Sequence, residues 1–366
     1  MNWFAVDKNG LANVLERRGK FFAVAELVSN AWDSGATEVA IELTPVAGEP
    51  YATIAVHDNG EGFADLSHAF TMFAKSSRAG HAEKRGRFNL GEKLVLAVCR
   101  SGWIATRSGT IRFNSDGTTR KSGETHDGTS FVAEIRMTRD ELDDVNDQMR
   151  RLIPPVNTTY NGKPIATPAL LTQFDAKLQT EIAGDDGQLR RTVRTATVEV
   201  YEGGSDICEL GIPVVLTDNG YRVNVQQKIP LNMERDNVTP AFLKSLNAAL
   251  LNALHAELSP EAAAMPWAQE AASDSRATPA AVKSVIAKRF GERAVIATPG
   301  DVMANANAEA AGFTVIPGGA MPAGLWANVR KHELLTPAGQ AFPTPKPEDL
   351  AERAKGKCPV CGKSLS

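Results

Sequence analysis

Apolar residues recur with helical spacing between residues 11 and 33, and the stretch predicts an amphipathic helix. Gly35 follows it, and glycine commonly ends a helix. Two short runs rich in apolar and β-branched residues, 38–43 and 51–56, come next and predict a pair of strands joined by a Pro- and Gly-containing turn. The N-terminal pattern therefore predicts a helix followed by two strands.

The next hundred residues mix helices and strands without regular alternation. We predict helices at 65–74, 92–100 and 138–153, a polar loop at 76–90, and strands at 102–107 and 130–137. Because strands and helices do not alternate one by one, this order favours an α+β layered sandwich over a doubly wound parallel sheet.

A second α+β block follows. We predict a hairpin turn within 160–165, strands at 193–202, 207–216 and 221–229, and a helix at 239–258. Residues 259–279 are rich in Ala, Ser and Pro and predict a linker, and the residues beyond them predict a small strand–helix–strand unit. The predicted segments are 1–153, 154–258, 259–279, 280–335 and an extended tail, 336–366.

Composition narrows the class of protein without naming a partner. The chain has 366 residues, 43% apolar and 23% charged, with a net charge of −3, so no overall field directs it to nucleic acid or to an anionic membrane. We find no apolar run of the roughly 18 residues that a membrane span needs. Four cysteines in a chain of this length do not form a disulfide framework, which predicts a cytoplasmic protein.

Three polar side chains interrupt the apolar N-terminal helix. Glu26, Asn30 and Asp33 stand at positions i, i+4 and i+7, which places them on one stripe of the helix. Taken alone, this stripe is equally typical of an ordinary solvated face.

A second polar motif directly follows the strand at 51–56. Asp58, Gly60 and Gly62 form a DxGxG pattern, in which the glycines permit close approach of the backbone. Taken alone, the same residues also fit a common turn. Thr129 begins the predicted strand SFVAEI with a hydroxyl close to the sheet.

A glycine-bearing segment, Gly86 to Lys93, opens the helix at 92–100 and predicts an anion site at the helix N-terminus. It does not form a P-loop, because Glu92 stands where the lysine must be and no Ser or Thr follows Lys93.

In this order the segments ELVSNAWDSGA, DNGEGF, GRFNLGEKL and DGTSF resemble the four nucleotide-binding boxes of the GHKL superfamily, which contains gyrase, heat-shock chaperones, histidine kinases and MutL. The resemblance covers residues 9–137. It implies a Bergerat-type two-layer α/β sandwich that binds ATP with Mg²⁺, with 1–153 as the ATP-binding domain.

The resemblance also implies roles for the residues of the motifs. Glu26 would be the general base that polarises the attacking water. Asn30 would hold the magnesium ion through oxygen, and Asp33 would support the site or remain solvated. Asp58 would accept the adenine amino group, with Thr129 beside it.

Gly60 and Gly62 would make room for the adenine base. Residues 75–91 would form a lid over the phosphates. Its candidate phosphate contacts are Lys75, Arg78, Gly86, Gly91 and Lys93, of which the basic residues are equally typical of a solvated loop. Asn89 stands where the family usually has glycine, which bears on lid closure.

A loop in the second block resembles the catalytic loop of the ninety-kilodalton heat-shock chaperones. It contains the sequence Pro230-Leu-Asn-Met-Glu-Arg235, where the arginine would reach the γ-phosphate. Lys228 and Gln227 are alternatives by analogy with the lysine loop of MutL and type II topoisomerases, and a surface arginine is the plain alternative. The resemblance implies that 154–258 is a transducer-like domain of the ribosomal S5 domain 2 type.

The tail contains one CxxC pair, Cys358 and Cys361, which resembles half of a zinc ribbon. A structural zinc ion takes four ligands, so three alternatives stay open. Two chains share one Zn²⁺, or Cys208 or His332 adds ligands to a zinc ion within one chain, or the pair is metal-free. Cys99 lies in an apolar helix and Cys208 in a predicted strand.

The resemblance implies an ATPase whose nucleotide state controls a conformational change, acting as a homodimer on a protein or nucleic-acid client. The alternative is a non-hydrolysing nucleotide-sensing adaptor that recruits its partner through the C-terminal region. Chaperone-like, DNA-repair, topoisomerase-like and defence or viral roles all remain open, and we expect no membrane association.

Overall fold

The computed structural model describes residues 19–63, 82–85, 91–114, 118–183, 189–231, 238–345 and 348. The chain divides into two compact units, Met1–Phe242 and Leu243–Ser366. Along the described residues, no helix is both long and apolar enough to cross a bilayer. The predicted helix at 65–74 lies outside the described residues.

The first unit contains an eight-stranded mixed sheet with helices packed on it. Its elements are α1 (Lys20–Trp32), β1 (Glu38–Pro45), β2 (Tyr51–Asp58), α2 (Gly91–Val98), β3 (Cys99–Thr106), β4 (Gly109–Phe113), β5 (Thr119–Ser122), β6 (Thr129–Arg136), α3 (Arg139–Met149), β7 (Asn157–Tyr160) and β8 (Lys163–Pro164). The strands lie in the order β5-β4-β3-β6-β2-β1-β7-β8. Only the β1–β7 pair of this sheet is parallel. The predicted α+β class and layered sandwich are confirmed.

The core lies between this sheet and its helices. Along β1 the buried residues are Val39, Ile41 and Leu43, which alternate with more exposed ones, as expected for a strand with one covered face. The apolar face of α1 packs into the same cluster through Val24 and Val28, both fully buried. This packing leaves the polar residues of α1 at the edge of the core, where they can contact a ligand.

A second, five-stranded sheet completes the first unit. Its strands are β9 (Leu170–Ala183), β10 (Leu189–Tyr201), β11 (Asp206–Glu209), β12 (Ile212–Leu216) and β13 (Arg222–Val225), in the order β12-β11-β13-β10-β9. The single strand predicted at 207–216 is wrong, because a tight turn divides it. Leu210 has φ 52° and Gly211 has φ 91°, a left-handed backbone that cannot continue a strand.

The second unit is small and mixed. It contains α4 (Pro240–Leu254, which begins at the end of the first unit), α5 (Pro260–Ala264), α6 (Pro266–Ser273), α7 (Pro279–Phe290), β14 (Ala294–Ile296), α8 (Val302–Ala310), β15 (Thr314–Ile316), α9 (Ala323–Lys331) and α10 (Ala338–Ala341). The predicted strand–helix–strand order is present in β14, α8 and β15. The stretch predicted as a linker, 259–279, instead contains α5 and α6, because Trp267 and the alanines of α6 bury an apolar face.

Candidate nucleotide-binding site

The end of β2 places a buried carboxylate, Asp58, beside the end of α1. Asp58 is 8% exposed, and its Oδ1 accepts hydrogen bonds from the Ser34 hydroxyl at 3.0 Å and the Gly60 backbone N–H at 2.8 Å. Thr129 pairs with Asp58 across β2 and β6 and also hydrogen-bonds to it. Burial raises the pKa of Asp58 above its usual value of 3.8, and these hydrogen bonds oppose the shift. The structure thus brings Asp58 and Thr129 together, as the sequence predicted.

The glycines of this loop are required by packing against protein atoms. A Cβ on Gly60 would lie 2.0 Å from Ser34 Oγ, and a Cβ on Gly62 would lie 2.6 Å from Thr106 Oγ1. Gly62 also has φ +72°, which favours glycine. Gly60 therefore allows the loop to pack against the end of α1, and Gly62 allows it to pack against β3. This role is additional to the space for a base that the family resemblance implied.

Gly128, the glycine of the DGTSF segment, is a further residue of this loop cluster. It has φ +75°, and a Cβ there would lie 1.9 Å from the Asp58 carbonyl oxygen. We expect Gly128→Ala to lower the free energy of unfolding by about 2–4 kcal/mol, because backbone strain and overpacking add. Denaturant unfolding measures the loss. Gly123→Ala is the matched control, since a methyl group at that position would meet nothing within 4 Å, and equal stability of the two variants would contradict the expectation.

The loop after Asp58 is also held at its far end. The Phe63 N–H donates to Thr106 Oγ1 at 3.0 Å, and the Ser108 hydroxyl donates to the Phe63 carbonyl at 2.7 Å. On the other side, Asn59 Oδ1 accepts from the backbone N–H of Thr37 at 2.9 Å. The DxGxG loop is consequently fixed between α1 and the ends of β2 and β3.

Helix α1 presents the other predicted residues. Glu26 and Asn30 are half-buried and one turn apart, and Asp33 caps the helix C-terminus with only 7% of its surface exposed. Ser34 follows at once, and its carbonyl accepts the Glu61 N–H at 3.1 Å. The hydrogen bonds of Ser34 thus bring the end of α1 against the DxGxG loop. Oxygen donors at Glu26 and Asn30 fit a hard cation such as Mg²⁺.

Asp33 forms a contact that the sequence analysis missed. Its Oδ1 lies 3.0 Å from Arg85 Nη1, and its Oδ2 accepts the Arg85 backbone N–H at 2.8 Å. The two residues are 52 positions apart, and an isolated arginine in a polar loop gives no local signal of its partner. Asp33 is therefore buried in an ion pair, and the solvated alternative for this residue is wrong.

The segment before the predicted γ-phosphate arginine is buried. Gln227 is 3% and Lys228 1% exposed, and the Lys228 N–H donates to the Ala82 carbonyl at 2.7 Å. Gly91 is the first residue of α2, and Lys93 lies in the first turn of that helix.

Several predicted residues lie outside the described part of the chain: Lys75, Arg78, Gly86, Asn89, Arg235, Cys358 and Cys361. Within the described part, no group of three or more His, Cys, Asp or Glu side chains is arranged to hold a metal ion. Cys208 is fully buried, and burial raises the pKa of its thiol to about 12.

Comparison with known proteins agrees with this geometry. The family described as histidine kinase-, DNA gyrase B-, and HSP90-like ATPase matches residues 19–142. Over 106 residues the chain is 34% identical to ATPase morc-1 of Caenorhabditis elegans, a match that covers 27% of this chain and 12% of that protein. The chain thus spans about an eighth of the length of this relative.

Residues 19–142 form a domain of the GHKL class, as the family match and the layered α+β fold show. The family match extends from just before α1 into α3 and so includes Glu26, Asn30, Asp58 and Thr129. The chain carries a GHKL ATPase domain of the histidine kinase, gyrase B and HSP90-like family.

Proposed function

We propose that this chain hydrolyses ATP and uses the nucleotide to control its conformation. The observation that carries the proposal is the buried Asp58 carboxylate, held by Ser34 and Gly60 against the end of the helix that bears Glu26 and Asn30. A buried carboxylate at the end of a strand suits the exocyclic amine of adenine. Helix α1 then places the side-chain oxygens of Glu26 and Asn30 on the side proposed for the phosphates of ATP.

Glu26 acts in this proposal as the general base. Its carboxylate accepts a proton from a water molecule as the water oxygen attacks the γ-phosphorus of ATP, and the bond to the ADP oxygen breaks. Half-burial of Glu26 keeps it accessible to water while α1 fixes its position. Asn30, one turn further on, would hold Mg²⁺ through its amide oxygen, and the ion would neutralise charge on the phosphates.

Asp58 and Thr129 recognise adenine. The Asp58 carboxylate accepts hydrogen bonds from Ser34, Gly60 and Thr129, and we assign its remaining acceptor capacity to the adenine amino group. Gly91 and Lys93, at the start of α2, are proposed to lie at the phosphates with Lys75 and Gly86. Gly60 and Gly62 keep the loop closed behind the base.

Arg235 is proposed to contact the γ-phosphate, with Lys228 as the alternative. The resemblance of the Pro230–Arg235 loop to the heat-shock chaperones supports Arg235, and an arginine fork pairs well with phosphate. We expect Arg235→Ala to slow turnover more than it weakens ATP binding, because the contact matters most when γ-phosphate charge develops. Parallel measurement of turnover and calorimetric affinity separates the two effects, and equal losses would argue against this role.

We also propose that the chain forms a homodimer and acts on a macromolecular client. In the dimer, the Cys358–Cys361 pairs of two chains would share one Zn²⁺ ion. These proposals are supported by the family resemblance and by the requirement of zinc for four ligands. The competing function is a nucleotide-sensing adaptor without hydrolysis. Release of phosphate from MgATP by the purified chain, lost on addition of EDTA, supports the ATPase, whereas stoichiometric ATP binding without phosphate release supports the adaptor.

A further inference from the structure

Arg85 joins the ATP-binding helix to the second sheet. Arg85 donates to Asp33 through its backbone N–H and Nη1, and its guanidinium also donates through Nε, at 2.8 Å, and through Nη2 to the carbonyl oxygen of Leu210. Leu210 lies in the turn between β11 and β12, and 125 residues separate it from Arg85. One side chain therefore bridges the C-terminal end of α1 and a turn of the other sheet.

This bridge is buried and rigid. The Arg85 side chain is 10% exposed and the Asp33 side chain 3%, and the guanidinium lies 4.9 Å from the centroid of the Trp32 ring. Burial lowers the pKa of Arg85, whereas Asp33 and, more weakly, Glu209 oppose the shift. A buried arginine that bonds both a carboxylate and a carbonyl resists rearrangement, because moving either partner leaves a charge or a carbonyl unpaired.

A second connection runs parallel to the first. The Ala82 carbonyl, three residues before Arg85, accepts the Lys228 N–H at 2.7 Å. The Glu209 carboxylate, next to Leu210, accepts the Ile229 N–H at 2.8 Å. The segment 82–85, the turn at 209–211 and the segment 227–230 thus form one hydrogen-bonded assembly, in direct contact with the residue that caps the ATP-binding helix.

We propose that Arg85 is a positioning residue that couples nucleotide binding at α1 to the turn at 209–211 and to the segment 227–230, which leads into the Arg235 loop. The inference rests on the proposed function, since it requires that ATP binds against α1. Binding there restrains the end of α1, and Asp33 transmits the restraint through Arg85 to the Leu210 carbonyl. Because coupling is reciprocal, the second sheet acts equally on the nucleotide site.

The test compares the full chain with Arg85→Lys by hydrogen exchange, with and without a non-hydrolysable ATP analogue. Lysine keeps the charge, but its single ammonium group cannot reproduce the planar fork that serves Asp33 and Leu210 together. In the parent we expect the analogue to slow exchange of the Leu210 and Lys228 amides by about fivefold or more, a typical coupling between sites. In Arg85→Lys we expect that difference to vanish while ATP affinity stays within about threefold.

Turnover gives a second measure, with a matched control. We expect Arg85→Lys to lower kcat about tenfold at nearly unchanged KM, the signature of a contact used after binding. Arg194→Lys is the control, because this arginine is 49% exposed and lies 4.0 Å from Glu83, so it should change neither measure. If Arg85→Lys does not fold, Asp33→Glu, which keeps both charges and lengthens the link by one methylene, is measured in the same way.

The outcomes separate the inference from the function. The coupling alone is overturned if the analogue slows amide exchange at Leu210 and Lys228 equally in the parent and in Arg85→Lys. It is also overturned if the parent binds ATP but the analogue does not slow exchange of these amides. Full protection without phosphate release by the parent overturns hydrolysis alone. A parent that binds no ATP overturns both.

Discussion

Replacement of Glu26 by alanine is expected to abolish ATP turnover while ATP affinity remains close to that of the parent. Glu26 acts on the attacking water and not on the nucleotide, so its loss removes proton acceptance without removing a binding contact. A positioned general base contributes about 10²–10⁴-fold to rate, and we expect a loss in that range. Phosphate release measures the rate, and calorimetry measures the affinity.

Two further variants make the result specific to Glu26. Glu26→Gln keeps the shape of the side chain and should lose turnover to the same extent, since an amide does not accept the proton. Asp143→Ala removes an exposed carboxylate from α3 and should leave both quantities unchanged. A Glu26→Gln protein that turns over at the parental rate would rule out Glu26 as the base.

Replacement of Asp58 by asparagine should instead weaken binding itself. With the amide oxygen accepting from Ser34 and Gly60, the amide nitrogen of the introduced asparagine faces the adenine amino group, and two donors oppose each other. Loss of a hydrogen bond to a charged group costs about 1.5–3 kcal/mol, which corresponds to a Kd raised about 10- to 150-fold. Calorimetry with ATP decides it, and GTP, which lacks this amine, should discriminate less between parent and variant.

Acidification provides an independent test of the same carboxylate. Because burial raises the folded-state pKa of Asp58, the carboxyl group takes up its proton at a pH above 3.8, the usual pKa of an aspartate, as the solution is acidified. ATP affinity should therefore decline at a higher pH than an ordinary aspartate would give. Between 3.8 and the raised pKa, folding stability contributed by Asp58 falls as the pH rises, since the folded protein binds the proton more tightly. A parental Kd that stays constant through this range, when ATP's own titration is accounted for, would contradict the role of Asp58.

The sequence predicted those elements of the fold that are determined by residues close together in the chain. Strands β1 and β2 were predicted because each is a short run rich in apolar and β-branched residues, and the two runs are separated by a Pro- and Gly-containing turn. The hairpin turn at Asn161-Gly162 was predicted because these residues accept φ of 46° and 74°. The DxGxG motif could be recognised because its residues are contiguous in the sequence. The polar stripe of α1 could be recognised because helical spacing places its residues on one face.

Long-range contacts account for what the sequence analysis missed. Strand β9 is rich in Thr, Gln and charged residues and forms through its antiparallel register with β10, which no local pattern records. Helices α5 and α7 were missed although Ser259 and Thr278 cap them and proline occupies their first turn. The region 259–279 is rich in Ala, Ser and Pro, and this composition led to the prediction of a linker despite the helix start signals. The Asp33–Arg85–Leu210 bridge joins three separate segments, and no sequence pattern within any one of them indicates the contact.

The bridge at Arg85 bears on how this domain can be inherited. The family match ends at residue 142, but the Arg85 side chain finds its acceptor at Leu210, and the Ile153 N–H donates to the Gly211 carbonyl at 2.9 Å. A recombination that moved residues 19–142 alone into another protein would leave two of the three hydrogen bonds of the Arg85 guanidinium without their acceptor, the Leu210 carbonyl. In this chain the unit that keeps these contacts comprises both sheets, so a change in the turn at 209–211 is expected to alter the support of the end of α1.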